Sequence, residues 1–81
     1  GAFDEVRKFY EKLISTLSLD KSYNLWISYI DYEINFKNIN KIRDLFQKSI
    51  LYFKSKKMNY ERGELMYAWY NYEKTNSIEY D

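Results

Sequence analysis

Apolar residues recur at steps of three and four along most of the chain, which is the spacing of one helix face and not the alternation of a strand. Phe3, Val6, Tyr10, Leu13 and Leu17 draw the first stripe and predict a helix over about 2–17. Asp4 and Glu5 suit its positive end, Ser15 to Ser18 supplies the stop, and Ser18 or Asp20 is placed to cap the next helix. That second helix is expected over about 21–36, with Trp26, Tyr29, Ile30 and Glu33 on one face and Leu25 and Tyr32 beside it. A carboxylate on an apolar face is the odd residue. After a polar link from Asn35 to Asn40, with Asn38 as cap, Ile39, Ile42, Phe46, Ser49 and Phe53 predict a third helix over about 39–55. So short a link makes the second and third helices antiparallel neighbours. A fourth helix, capped by Asn59, is expected over about 60–74 and carries Leu65, Met66, Trp69, Tyr70, Tyr72 and Glu73. Asn76-Ser77 reads as a turn, and Ile78 to Asp81 as the opening of a fifth helix. Proline is absent and glycine occurs only at Gly1 and Gly63, so few breakers interrupt this helical pattern.

The helices repeat. Arg7, Tyr10, Lys12, Ile14 and Leu17 in the first align with Arg43, Phe46, Lys48, Ile50 and Phe53 in the third, at an offset of 36. Tyr29, Tyr32 and Glu33 in the second align with Trp69, Tyr72 and Glu73 in the fourth, at an offset of 40. A helix-pair repeat of this period is the pattern of an α-solenoid, whose pairs bury their apolar faces by stacking on their neighbours.

Trp26-x-x-Tyr29-x-x-Tyr32-Glu33, followed by Arg43-x-Leu45-Phe46-Gln47-Lys48-Ser49, resembles the HAT (half-a-TPR) repeat. Arg7-Lys8-Phe9-Tyr10-Glu11-Lys12-Leu13 resembles the second helix of that repeat, departing at Leu13, and Met66 stands where the family has tryptophan. The resemblance implies an all-α fold of antiparallel helix pairs stacked as a superhelix. In it, 2–17 is the second helix of one repeat, 21–55 a complete repeat and 60–74 the first helix of the next. It also implies a non-catalytic protein–protein scaffold in nuclear RNA processing: pre-mRNA splicing first, then 3′-end cleavage and polyadenylation or ribosomal RNA maturation. Among HAT subfamilies, the repeat spacing and the segment from Glu73 to Asp81 look most like the U4/U6 snRNP recycling factors, with the large cleavage-stimulation subunits second.

The signature residues Arg7, Tyr10, Trp26, Tyr29, Tyr32, Glu33, Arg43, Phe46, Trp69, Tyr72 and Glu73 are read as determinants of the fold, with Trp26, Tyr29 and Phe46 as the intra-repeat core. Glu33 is expected to accept hydrogen bonds from Arg43 or a core tyrosine, because an unpaired buried carboxylate is costly. By the same logic Arg7 and Glu73 look to helices outside the chain. Gly1 reads as a protease scar and the chain as a piece of a longer array, whose exposed ends invite homodimerisation.

Composition narrows the chemistry. No cysteine and no histidine are present, which removes disulfides, the usual zinc ligands and the commonest general base, so no cofactor or metal is expected. An 81-residue domain buries only about 60% of its unfolded surface, and packing must supply its stability without staples. Hydrophobic residues make up 46% while the mean hydropathy is −0.70, because ten tyrosines count as apolar body while lysine and asparagine pull the mean down. The longest uncharged run, Ser22 to Ile30, is far shorter than the ~20 residues of a membrane span. A net charge of +1 gives no strong field for nucleic acid. Lys54, Lys56 and Lys57 read as cations at a helix C-terminus, and direct binding of single-stranded RNA through Tyr and Lys stands as the alternative.

Overall fold

The structure, a computed structural model, describes residues 2–16 and 19–80, with side chains for 2–16 and 22–76. It is all-α. Four helices account for the described chain outside two three-residue connections: α1 (Ala2–Thr16), α2 (Leu19–Asn35), α3 (Ile39–Ser55) and α4 (Asn59–Tyr80). Leu17 and Ser18 lie outside the described residues, as does the side chain of Asp20, so the expected end and cap at that link do too.

Two compact units divide the chain, Gly1–Ile39 and Asn40–Asp81. The first holds α1 and α2, whose contacts run Phe3 to Phe36, Arg7 to Glu33 and Tyr10 to Tyr29, so the two helices are antiparallel. In the second, α3 meets α4 through Arg43 to Glu73 and Phe46 to Trp69, again antiparallel. Burial concentrates in the middle helices. Trp26, Tyr29 and Ile30 of α2, and Ile42, Leu45, Phe46, Ser49 and Phe53 of α3, are all buried, whereas α1 has no fully buried residue. The stripe expected on α1 is split accordingly: Phe3, Tyr10 and Leu13 are half-buried and Val6 is exposed.

The two connections are copies of one device. At the end of α2, the Asn38 N–H donates to the Glu33 carbonyl (3.3 Å) and the Lys37 N–H to the Ile34 carbonyl (3.0 Å). At the end of α3, the Met58 N–H donates to the Phe53 carbonyl (2.9 Å) and the Lys57 N–H to the Lys54 carbonyl (3.1 Å). This is the Schellman pattern, and it requires a left-handed residue, supplied by Lys37 (φ 56°) and Lys57 (φ 58°). Glycine is the usual occupant, because a Cβ costs roughly 1–2 kcal/mol in that conformation. Lys37→Gly and Lys57→Gly are therefore expected each to raise the unfolding free energy by about 0.5–1 kcal/mol after glycine's larger unfolded-state entropy is counted, read as a higher urea midpoint. The second connection also moves the cap of α4. The Met58 carbonyl accepts the first helical bond, from the Arg62 N–H (3.1 Å), so Asn59 is the first helical residue and not the cap.

The largest departure from the sequence pattern is at the end of α4, which continues through Asn76-Ser77 without a turn, so that Ile78 to Tyr80 belong to α4 and not to a separate helix. Turn-forming side chains here fold back on their own helix. Thr75 Oγ1 donates to the Asn71 carbonyl (3.0 Å) and Asn76 Nδ2 to the Tyr72 carbonyl (2.8 Å). Satisfied in this way, and with no glycine or proline near, they leave the backbone ladder unbroken. Helix α2 likewise starts two residues earlier than expected and ends one earlier, while α3 spans the expected residues.

Candidate functional site

Each unit builds the same cluster from the repeated motif. In the first, Arg7 Nε donates to Glu33 Oε2 (2.8 Å) and Arg7 Nη2 to Glu33 Oε1 (3.1 Å), a fork-to-fork pair between α1 and α2. One turn away, Tyr10 stacks on Tyr29 with centroids 4.9 Å apart and planes at 5°, and leans on Tyr32 at 5.8 Å. In the second, Arg43 Nε donates to Glu73 Oε1 (2.7 Å) and Arg43 Nη2 to Glu73 Oε2 (2.9 Å). Phe46 stacks on Trp69 at 5.7 Å and 6°, and leans on Tyr72 at 6.1 Å. Every partner in one unit is the offset counterpart of a partner in the other.

This corrects the expected pairing. Both Glu33 oxygens are held by Arg7 and not by Arg43, whose guanidinium reaches Glu73. Arg7 and Glu73, expected to look outside the chain, both find partners within it. The reason is geometric: each arginine sits in the second turn of its helix and each glutamate is the fifteenth residue of the next, so the antiparallel hairpin that follows the arginine brings them level. The pairs span the α1–α2 and α3–α4 connections and not the link between α2 and α3.

The two clamps differ in exposure. Glu33 is fully buried, whereas Glu73 is about a third exposed (34%). Hydrogen bonding to Glu33 holds the Arg7 guanidinium above its ordinary range against the opposing effect of partial burial, with Tyr29 and Asp4 adding smaller attractions. Arg7 also lies over the Phe3 ring, 4.5 Å from its centroid. The Glu73 carboxyl is held below the usual range, chiefly by Arg43, with a further hydrogen bond from the Trp69 indole at 3.2 Å. Trp69 thus gives the second clamp a donor that its counterpart Tyr29 does not supply at that place.

Chemically these are saturated ion pairs: each guanidinium meets its carboxylate through two hydrogen bonds, an arrangement suited to fixing a helix pair. Among the described residues no group of three or more metal-ligating side chains is placed to hold a metal ion. No described helix is long and apolar enough to cross a membrane. Of the remaining signature residues, Trp26 is buried on α2. Beside the stripe residue Phe3, sequence reasoning missed two participants in the first cluster: Phe36, whose ring meets that of Phe3 edge to face at 4.6 Å, and Ser28, whose hydroxyl lies 2.8 Å from that of Tyr10. Phe36 falls at the helix end, where no stripe marks it. The sequence also gave no role to an open groove of about 410 Å³ on the second unit, lined by Ile50, Met66, Trp69, Tyr70 and Glu73. Its signal is the presence of apolar residues on more than one side of α4.

No family model and no solved structure matches the chain. Among curated proteins it is similar to the pre-mRNA-splicing factor clf1 of Aspergillus fumigatus, 30% identical over 95 residues that cover 94% of this chain and 14% of that protein. It is also similar to the pre-mRNA-splicing factor CLF1 of Pyricularia oryzae, 29% identical over 94 residues that cover 94% of this chain and 13% of that protein. The chain spans about one seventh of the length of these relatives, and across that segment it is an all-helical stretch with two copies of one clamp, similar to part of each splicing factor.

Proposed function

We propose that the chain is a HAT-type repeat segment of a nuclear, non-catalytic scaffold that holds proteins in the pre-mRNA splicing machinery. The observation that carries this reading is the similarity to two pre-mRNA-splicing factors over 94% of the chain. It favours splicing over 3′-end cleavage or ribosomal RNA maturation. The repeated Arg–Glu and aromatic clusters support a repeat of helix pairs, and in the HAT register 21–55 is the complete repeat, each cluster then joining one repeat to the next in a solenoid. The signature residues then act through architecture and leave the outer helix surfaces for partners. Recycling of U4/U6 particles is a narrower form of the same proposal, and it requires RNA-recognition motifs in the sequence that follows.

The test is depletion of the parent protein from nuclear extract, followed by splicing of a reporter pre-mRNA. Loss of spliced product, restored by adding the protein back, is the expected result, and unchanged splicing overturns the reading. Direct RNA binding is the second reading, favoured by the exposed tyrosines Tyr60, Tyr67 and Tyr70 on α4. Binding of single-stranded RNA that weakens steeply with salt would select it.

A further inference from the structure

The near-neutral total conceals a segregation of charge. From Ile39 to Met58, the span of α3 and the connection after it, lie six of the thirteen basic residues, Lys41, Arg43, Lys48, Lys54, Lys56 and Lys57, and one of the twelve acidic ones, Asp44. Elsewhere the acids outnumber the bases. Part of this charge is settled within the second unit: Arg43 is held by Glu73, and Asp44 is shared by Lys48 (3.0 Å) and Lys41 (4.0 Å). One carboxylate between two lysines still leaves a surplus. Lys54, Lys56 and Lys57 add to it, all exposed at the end of α3, with the Lys56 ammonium 5.8 Å from the Tyr52 ring centroid. The negative end of the helix offsets only about half a charge of these three. Nor does capping explain Lys41, which stands in the first turn, where the dipole disfavours a cation and α3 has no acidic residue. At about 100° per residue, Lys41 and Lys48 fall on the side of α3 away from its buried stripe, with Lys54 on the flank.

We propose that this basic face of α3 holds the phosphodiester backbone of a nucleic acid, by charge and without reading bases, at a site separate from the α4 tyrosines. Lys41 and Lys54 are 13 residues apart, about 20 Å along the helix, a reach that suits a polymer of phosphates and not one phosphate group. The residue type favours nucleic acid over an acidic protein. Protein interfaces select arginine, whose planar fork fixes a carboxylate, and are poor in lysine, whereas lysine serves phosphate as a mobile point charge. The one arginine here is already held by Glu73. A protein hot spot also needs a large anchor, and this face offers only Leu51 and the half-buried Tyr52.

Fluorescence anisotropy of end-labelled single-stranded RNA over rising salt tests this, with oligouridylate and a mixed sequence of equal length as the probes. Both are expected to bind alike, with log K falling against log salt at a slope of about −2 to −3.5, from three to five lysines at about 0.7 each. Lys54→Gln with Lys56→Gln and Lys57→Gln is expected to flatten the slope by about 2 while keeping helicity by circular dichroism, since glutamine forms helix about as well as lysine. Should that variant lose helicity, Lys54→Gln with Lys56→Gln spares the left-handed Lys57 and should flatten the slope by about 1.4. Tyr67→Ala with Tyr70→Ala is expected to change neither affinity nor slope, which separates this site from base stacking on α4. No binding at low salt, a slope that the lysine variants leave unchanged, or a preference for one of the two sequences would overturn the proposal. So would oligoglutamate of equal charge that displaces the probe more readily than unlabelled RNA does, the mark of an acidic protein partner.

Discussion

Arg7→Ala lowers the unfolding free energy by about 3–5 kcal/mol, the expected effect of leaving a buried carboxylate without the guanidinium that neutralises it. Glu33 is fully buried and accepts both hydrogen bonds from Arg7, so the variant strands a charge that water cannot reach. Removing the counterpart has a different outcome. Arg43→Ala is expected to cost only about 0.5–1 kcal/mol, because Glu73 is 34% exposed and keeps its hydrogen bond from Trp69. Urea titrations followed by circular dichroism measure both, and equal losses would show that the difference in burial carries no energetic weight. Replacing both members of the buried pair, Arg7→Met with Glu33→Leu, should recover most of the loss, since the penalty belongs to the unpaired charge and not to the missing attraction.

Phe46→Ala is the second large effect, a loss of about 3–5 kcal/mol through the cavity it leaves. Phe46 is 2% exposed, lies parallel to Trp69 and leans on Tyr72, so two aromatic side chains lose a contact at once. Phe9→Ala, on an exposed ring of the same size, is expected to stay within about 0.5 kcal/mol of wild type in dilute solution. A chain of this length has a total stability of about 4–12 kcal/mol, so thermal unfolding should separate the two variants without ambiguity.

Helix identity was legible because the apolar steps of three and four are long and the breakers few. Helix ends were less so, for reasons that differ by residue. At Asn76 and Thr75 the side chains that suggest a turn are satisfied by their own helix, which composition does not reveal. At Met58 an apolar residue starts a helix because the preceding helix hands over its chain through a left-handed lysine, and no sequence rule for caps points to either residue. The members of the clamp were legible as odd residues, above all Glu33 on an apolar face. Their pairing was not, because Arg43 follows Glu33 by 10 residues while Arg7 precedes it by 26, and proximity in sequence favoured the wrong arginine.

The spacing inside the two clamps carries a consequence for how such chains change length. Arg7 and Glu33 are 26 residues apart, Arg43 and Glu73 are 30. Glu33 and Glu73 are each the fifteenth residue of their helix, so the difference of four lies wholly between the arginine and the start of that helix, and the glutamate keeps its facing side. A gain or loss of two residues would swing the glutamate by about 200° and aim it at solvent. Residues gained or lost inside α2 or α4 ahead of the glutamate therefore keep the clamp only in whole turns, about four or seven at a time.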